Sequence, residues 1–429
     1  MDELRGAVIS PRHQAAVKPP RSSRLEFVDG LRGIAVLFML VLHSAHGWLH
    51  PDFKSGSVGY WINSIGGMAA PLFFLLTGIG LGLRVSGKRP PSARAELARG
   101  AGLIVLGYLL RVQMWQLDRR AFMEPSNLAA GALLAGGYLL VYRGWLRFGR
   151  AEPAAGTLAM GVAASGVGLA AALHVAPASF PNLLRFDVLQ GLGLTGILLA
   201  APLARFDSRW ARGLSAATLG ALILVFTHPL RAWVPGPLPA AIAAPIAYWP
   251  NPAGGAPWAM FPLFPWAAYA AFGALVGGYL AHVGSARLLP LGVLGAALAL
   301  LTSENITWIV QTLAVHPALT QPMRVGYRLG LGLALLWAAG GLAQLGGWPQ
   351  RWLVELGRAS LWVYWLHLEF TFGIAAKPIH AKLNLSQWAL HLGALVVAMM
   401  AVAQIRLALR SRTKQARQIG AGAPAANLQ

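Results

Sequence analysis

Cysteine is absent from the 429 residues. That excludes disulfides, thiolate nucleophiles and cysteine metal sites, and leaves the compartment unconstrained. Charge is scarce: 11% of the residues are Asp, Glu, Lys or Arg, where a soluble domain carries about a quarter. Acids are scarcer still, 14 against 35 Lys and Arg, for a net charge of +21. No soluble domain is present to display a basic stripe with interleaved aromatics, so the charge does not describe a nucleic-acid surface. Internal repeats are not evident, which weakens a transporter built from repeats. No cleavable signal peptide is expected, because the first 24 residues are polar and proline-bearing.

What the chain does have is apolar length. It is 56% hydrophobic, its mean hydropathy is +0.55, and apolar runs of about 20 residues recur along it, the mark of transmembrane helices. The expectation is an all-α, polytopic integral membrane protein of about ten to twelve helices. Twelve spans can be placed, near 31–48, 65–83, 100–115, 128–142, 156–173, 184–203, 214–230, 261–280, 288–301, 329–345, 361–376 and 388–409. They divide the chain into a basic tail (1–24), a transmembrane domain (25–410) and a second basic, disordered tail (411–429). If the spans alternate, 24 of the 35 Lys and Arg fall on the side of the N-terminus and 10 on the other, with Arg32 left in the membrane. This is the positive-inside pattern, and it puts both termini in the cytoplasm.

The first span is unusual. It opens Phe27-Val28-Asp29-Gly30-Leu31-Arg32-Gly33 and closes on His43, His46 and His50. On a helix Arg32 and His43 are eleven residues apart, about three turns, so they share a face roughly 16 Å apart along the axis. Asp29, His46 and His50 lie close to that face. Ionisable groups on an apolar span are costly in a bilayer and mark a candidate site. Arg32 could snorkel to the headgroups while His43 caps the outer helix end. Alternatively, His43 is a general base and Arg32 holds an anionic donor or steadies an oxyanion. The histidine trio has spacing that admits zinc. However, Gly47 and Pro51 fray the helix there and only Asp52 stands near, so no metal is expected.

Gly357-Arg358-Ala359-Ser360-Leu361-Trp362-Val363-Tyr364-Trp365-Leu366-His367 carries another buried histidine. It is either bonded to a neighbouring helix or part of the same cavity. Arg84, Lys88, Arg89, Arg94 and Arg99 follow the second span. They serve as topology signals or form a phosphate-binding mouth. Pro262-Leu263-Phe264-Pro265-Trp266 opens the eighth span as an irregular, interfacial helix start.

These motifs resemble a known group. Asp29 to Arg32, followed after ten residues by His43, looks like the arginine–histidine signature of transmembrane acyltransferase family 3. The run from Ala70 to Gly78 resembles that family's second-helix motif. Asp187-Val188-Leu189-Gln190-Gly191, the Pro262 to Trp266 run, and the Gly357 to His367 run are similar to bacterial relatives of heparan-α-glucosaminide N-acetyltransferase. The resemblance implies an inner-membrane acyltransferase. It would move an acyl group, acetyl foremost, from cytoplasmic acyl-CoA to a hydroxyl or amine of an extracytoplasmic sugar or lipid-linked acceptor. It assigns catalysis to His43 and Arg32, with His367 as a recurrent histidine of the C-terminal motif; beside it, Asp29 is expected to orient Arg32, and Arg84, Lys88, Arg89, Arg99 and Arg358 to bind the donor. Partners are the donor, the acceptor and membrane lipids, without nucleic acid; a homodimer is admitted. The rival is a proton-coupled transporter or exporter, in which the same stripe would relay protons.

Overall fold

The computed structural model describes residues 25–87, 90–117, 124–176, 180–232, 243–246, 259–284, 287–303, 308 and 319–421. Among these the secondary structure is helical, apart from isolated bridges pairing Leu49 with Leu383 and Phe186 with Ala259. The helices are α1 (Glu26–Trp48), α2 (Gly56–Gly66), α3 (Ala69–Val85), α4 (Ala93–Gln116), α5 (Pro125–Gly149), α6 (Ala155–Val175), α7 (Phe180–Leu184), α8 (Val188–Ala204), α9 (Arg209–Ala232), α10 (Leu263–Val283), α11 (Leu289–Leu301), α12 (Thr320–Leu345), α13 (Gly347–Arg358), α14 (Ser360–Thr371) and α15 (Leu385–Ala421).

Eight helical stretches are long and apolar enough to cross a membrane, α2 and α3 counting as one, and α8 and α11 are shorter apolar helices. The chain is therefore an all-α polytopic membrane protein. Each of the twelve expected spans falls on one of its helices. The last helix runs on to Ala421, so part of the segment expected as a tail continues the final span. The tail at 1–24 lies outside the described residues.

The packing fixes relative directions. Gly78 lies against Ala270 and Gly82 against Ala274, so α3 and α10 run parallel. Gly137 meets Ser165 and Gly144 meets Leu158, so α5 and α6 are antiparallel. Gly295 meets Gly330 while Gly326 meets Thr302, so α11 and α12 are antiparallel. His43 lies beside His367 and Gly47 against Thr371, which makes α14 parallel to α1. Numbered as the expected spans two and eight, four and five, nine and ten, and one and eleven, these pairs have the directions that alternation of those spans would give them.

Helix α1 lies at the centre with α3 and α10. More than three-fifths of the apolar window of each is buried, against 17% for α6 and 22% for α9 and α15. Lipid tails are as apolar as leucine, so close approach rather than hydrophobic expulsion holds such helices together. The α3–α10 seam shows how, with Gly78 and Gly82 against Ala270 and Ala274, and Gly273 and Gly277 against Leu75 and Ile79. The α1–α13 crossing is as tight. A Cβ at Gly33 would overlap the Leu353 carbonyl, and one at Gly357 the Asp29 carbonyl. The glycines of the Asp29-Gly30-Leu31-Arg32-Gly33 run thus let α13 lie on the first turns of α1, which sets where α14 begins.

Candidate active site

At its first turns α1 carries an ion cluster. Asp29 is 3% exposed. One of its oxygens accepts from Arg32 Nη1 at 2.8 Å and the other from Arg358 Nε at 3.2 Å. Arg358 also reaches Glu26, with Nη2 donating to Oε1 at 3.1 Å. A buried carboxylate persists only when paired in this way. Its partner Arg358 is the last residue of α13, brought there by the glycine crossing. Gln350, buried in α13 near Gly30, has neither amide atom hydrogen-bonded.

Because α14 runs parallel to α1, its histidine comes level with that of α1. His43 Nδ1 and His367 Nε2 are 2.8 Å apart, and the ring planes are within 7° of each other. His367 is fully buried, and its Nδ1 lies 2.9 Å from the Val363 carbonyl one turn back. A carbonyl only accepts, so Nδ1 of His367 carries the proton and Nε2 is bare. His43 must then donate through its own Nδ1, which leaves His43 Nε2 with a lone pair and no proton. Phe372 packs edge-on to His43, ring centroids 5.6 Å apart. This is the logic of an oriented base: a second group fixes the tautomer and aims the free nitrogen.

A second polar group surrounds this pair. Tyr364 lies 5.7 Å from His367, ring to ring, and beside Arg111 of α4. Arg111 is ion-paired with Asp187, whose backbone N–H donates to Gln190 in a capping box that opens α8. Farther along α14, Glu369 accepts from Gln113 at 2.8 Å, and Gln113 also bonds Trp365. Sequence reading named neither Arg111, Gln113, Tyr364 nor Glu369 as site residues. The signal for Arg111 was the one that exposed Arg32, a cation within an apolar span.

Other expected residues separate. His46 bonds Asn63 of α2 at 3.0 Å. His50 lies beyond the end of α1 and pairs with Asp52 at 3.2 Å. The three histidines therefore turn to three different partners, and among the described residues no group of three His, Asp or Glu is arranged to hold a metal. Arg84 grips Glu96 with two bonds of 2.9 and 2.8 Å, and Arg99 bonds the same carboxylate. Arg94 covers the Phe148 ring at 4.2 Å. Arg84 and Arg99 thus gather on Glu96 while Arg358 joins α1, as two groups. Lys88 and Arg89 lie outside the described residues.

Two comparisons place the chain among known proteins. A stretch of 91 residues is 34% identical to a putative type II restriction enzyme of Aeropyrum pernix, covering 19% of this chain and 58% of that protein. The chain thus spans under two thirds of that curated relative, and a fifth of one chain carries no argument about the whole. Residues 24–304, well over half the chain, match the family model described as heparan-alpha-glucosaminide N-acetyltransferase, catalytic. The match starts before α1, takes in Asp29, Arg32, His43, Arg111 and Asp187, and ends before α14. The chain belongs to the heparan-alpha-glucosaminide N-acetyltransferase catalytic family.

Proposed function

We propose that this protein is a membrane acetyltransferase in which His43 is the general base, His367 is its positioning partner, and the donor is acyl-CoA. The observation that carries the reading is the 2.8 Å contact between the two histidines, with His367 held in turn by the Val363 carbonyl. Nε2 of His43 takes the proton of an acceptor amine or hydroxyl as that atom attacks the thioester carbonyl. The C–S bond breaks, the thiolate leaves with the electron pair, and the proton passes from His43 to it. His43 is regenerated with its Nδ1–H still on His367.

Arg32 and Arg358 are proposed to receive the donor's phosphates, with Asp29 orienting both. The span between Arg32 and His43, about 16 Å on a helix, suits an extended pantetheine arm with phosphates at one end and thioester at the other. Arg84 and Arg99 are proposed as a secondary basic contact of the same face, as Glu96 neutralises one of their two charges. The acceptor is proposed to be an extracytoplasmic sugar or glycoconjugate, since the histidine end faces away from the basic, N-terminal side. The membrane is proposed to be the bacterial inner membrane, with both termini cytoplasmic.

The test is thiol release from acetyl-CoA by purified protein in nanodiscs, with a glucosamine-bearing acceptor. Wild type is expected to release thiol in proportion to acetylated acceptor. His43→Ala is expected to lose at least about 100-fold, the usual contribution of a general base. Full activity in that variant, with an unchanged melting temperature, would remove His43 from the chemistry. A stable acetyl group on wild-type His43 after acceptor-free incubation would instead make it a covalent carrier. Substrate accumulation in vesicles under a pH gradient, with no donor consumed, would favour the transporter.

A further inference from the structure

One cavity lies apart from the histidine pair, with neither His43 nor His367 in its lining. It holds about 1000 Å³ and lies between α12 and the α1–α2–α3 wall. One face of α12 lines it at Arg324, Arg328, Leu331, Leu335 and Ala338, a spacing of i, i+4, i+7, i+11 and i+14 that makes a single stripe. The stripe changes character along its length. Its first two residues are cations and the rest are apolar, and the change spans about 21 Å of helix. No Asp or Glu is among the described residues lining the cavity. Arg328 also bonds Tyr269 of α10, which fixes its guanidinium.

Depth gives this gradient its meaning. Helix α12 has 26 residues, about 39 Å, against roughly 30 Å of bilayer hydrocarbon. Arg324 therefore stands near the headgroup boundary, Arg328 one turn deeper, and Ala338 well inside the hydrocarbon. The opposite wall repeats the order, from Asn63, which bonds His46, down to Phe38. Exposed aromatics line the cavity, with Trp61 at 62% and Trp337 at 47%. Exposed aromatics of this kind suit the boundary between lipid and water.

We infer that this cavity binds a lipid phosphate: Arg324 and Arg328 hold the phosphate oxygens and the tail lies along Leu331, Leu335 and Ala338. Guanidinium groups fit phosphate through paired charge-assisted hydrogen bonds. Apolar walls below such a pair select against a soluble anion, whose far end would be left in hydrocarbon. The inference stands apart from catalysis, since binding alone reports on it.

The experiment uses the full chain in phosphatidylcholine nanodiscs that contain a trace of phosphatidic acid with a photoreactive acyl chain. The control is phosphatidylcholine with the same chain. Phosphatidic acid is expected to crosslink to wild type about tenfold more than the control, with adducts on α12 and near Met68. Arg324→Gln is expected to remove that preference. Ala334 also lines the cavity beside Leu335, and Ala334→Trp, which fills the apolar wall and keeps both arginines, is expected to lower labelling with the melting temperature unchanged. Millimolar glycerol 1-phosphate is expected not to compete. Equal labelling by the two lipids, preference retained in both variants, or competition by glycerol 1-phosphate would each overturn the inference.

Discussion

His43 has two ring nitrogens, and the chemistry depends on which is free. The neighbouring imidazole decides it, because His367 can only accept once its other nitrogen donates to Val363. Replacing His367 with Gln keeps a side chain that can accept from His43 Nδ1, whereas Ala leaves that N–H unpaired. We expect His367→Gln to retain a measurable fraction of kcat and His367→Ala to lose roughly 10²-fold or more, with KM for the donor unchanged in both. A loss confined to KM would make His367 a binding residue. Asp29 calls for a different measurement. Asn in its place leaves two guanidinium groups without their shared carboxylate, and breaking a buried pair costs about 3–5 kcal/mol. A clear fall in melting temperature is expected for Asp29→Asn, and an unchanged one would mean that the cluster contributes nothing to stability.

At the level of elements, the site depends on two helices from opposite ends of the chain lying side by side. Gly33 and Gly357 seat α13 on α1 and so place the start of α14, since each faces a backbone carbonyl at a distance that leaves no room for Cβ. Gly33→Val is therefore expected to push α13 off α1, lower stability by about 1–3 kcal/mol as overpacking does, and separate His367 from His43. Thermal unfolding and thiol release should fall together. By contrast Gly136, whose Cβ position meets nothing within 4 Å, should accept Ala without effect on either. The stripe of α1 was legible in the sequence because it obeys helical spacing and breaks an apolar run. The alignment of α14 was not, because 324 residues separate its histidine from His43 and no local pattern encodes their register.

For the whole molecule, the expected arrangement of spans can be tested with unusual ease, because the chain has no cysteine. Single cysteines in place of Ser57 and Ser411 need no further background changes. With cytoplasmic termini, an impermeant maleimide applied to intact cells should label Ser57→Cys and spare Ser411→Cys until the membrane is opened. The reverse pattern would invert the protein and place the histidine pair toward the cytoplasm. The parallel run of α1 with α14 and of α3 with α10 requires that each pair cross in the same sense, so this one experiment orients all four.

The sequence alone determined the class of molecule. Apolar runs too long and too frequent for a soluble core follow from the cost of charge in hydrocarbon, which acts on each segment separately. Arg32 and His43 stood out for the same reason. Tertiary structure decided what local cost cannot. It set which acids neutralise which arginines, so that Arg84 and Arg99 close on Glu96 while Arg358 returns to Asp29. It gave the three histidines three different partners. It brought Arg111 and Asp187 beside Tyr364. Each of these depends on side chains distant in the chain meeting where water is excluded, and there a polar group is held only by the partner that packing delivers to it.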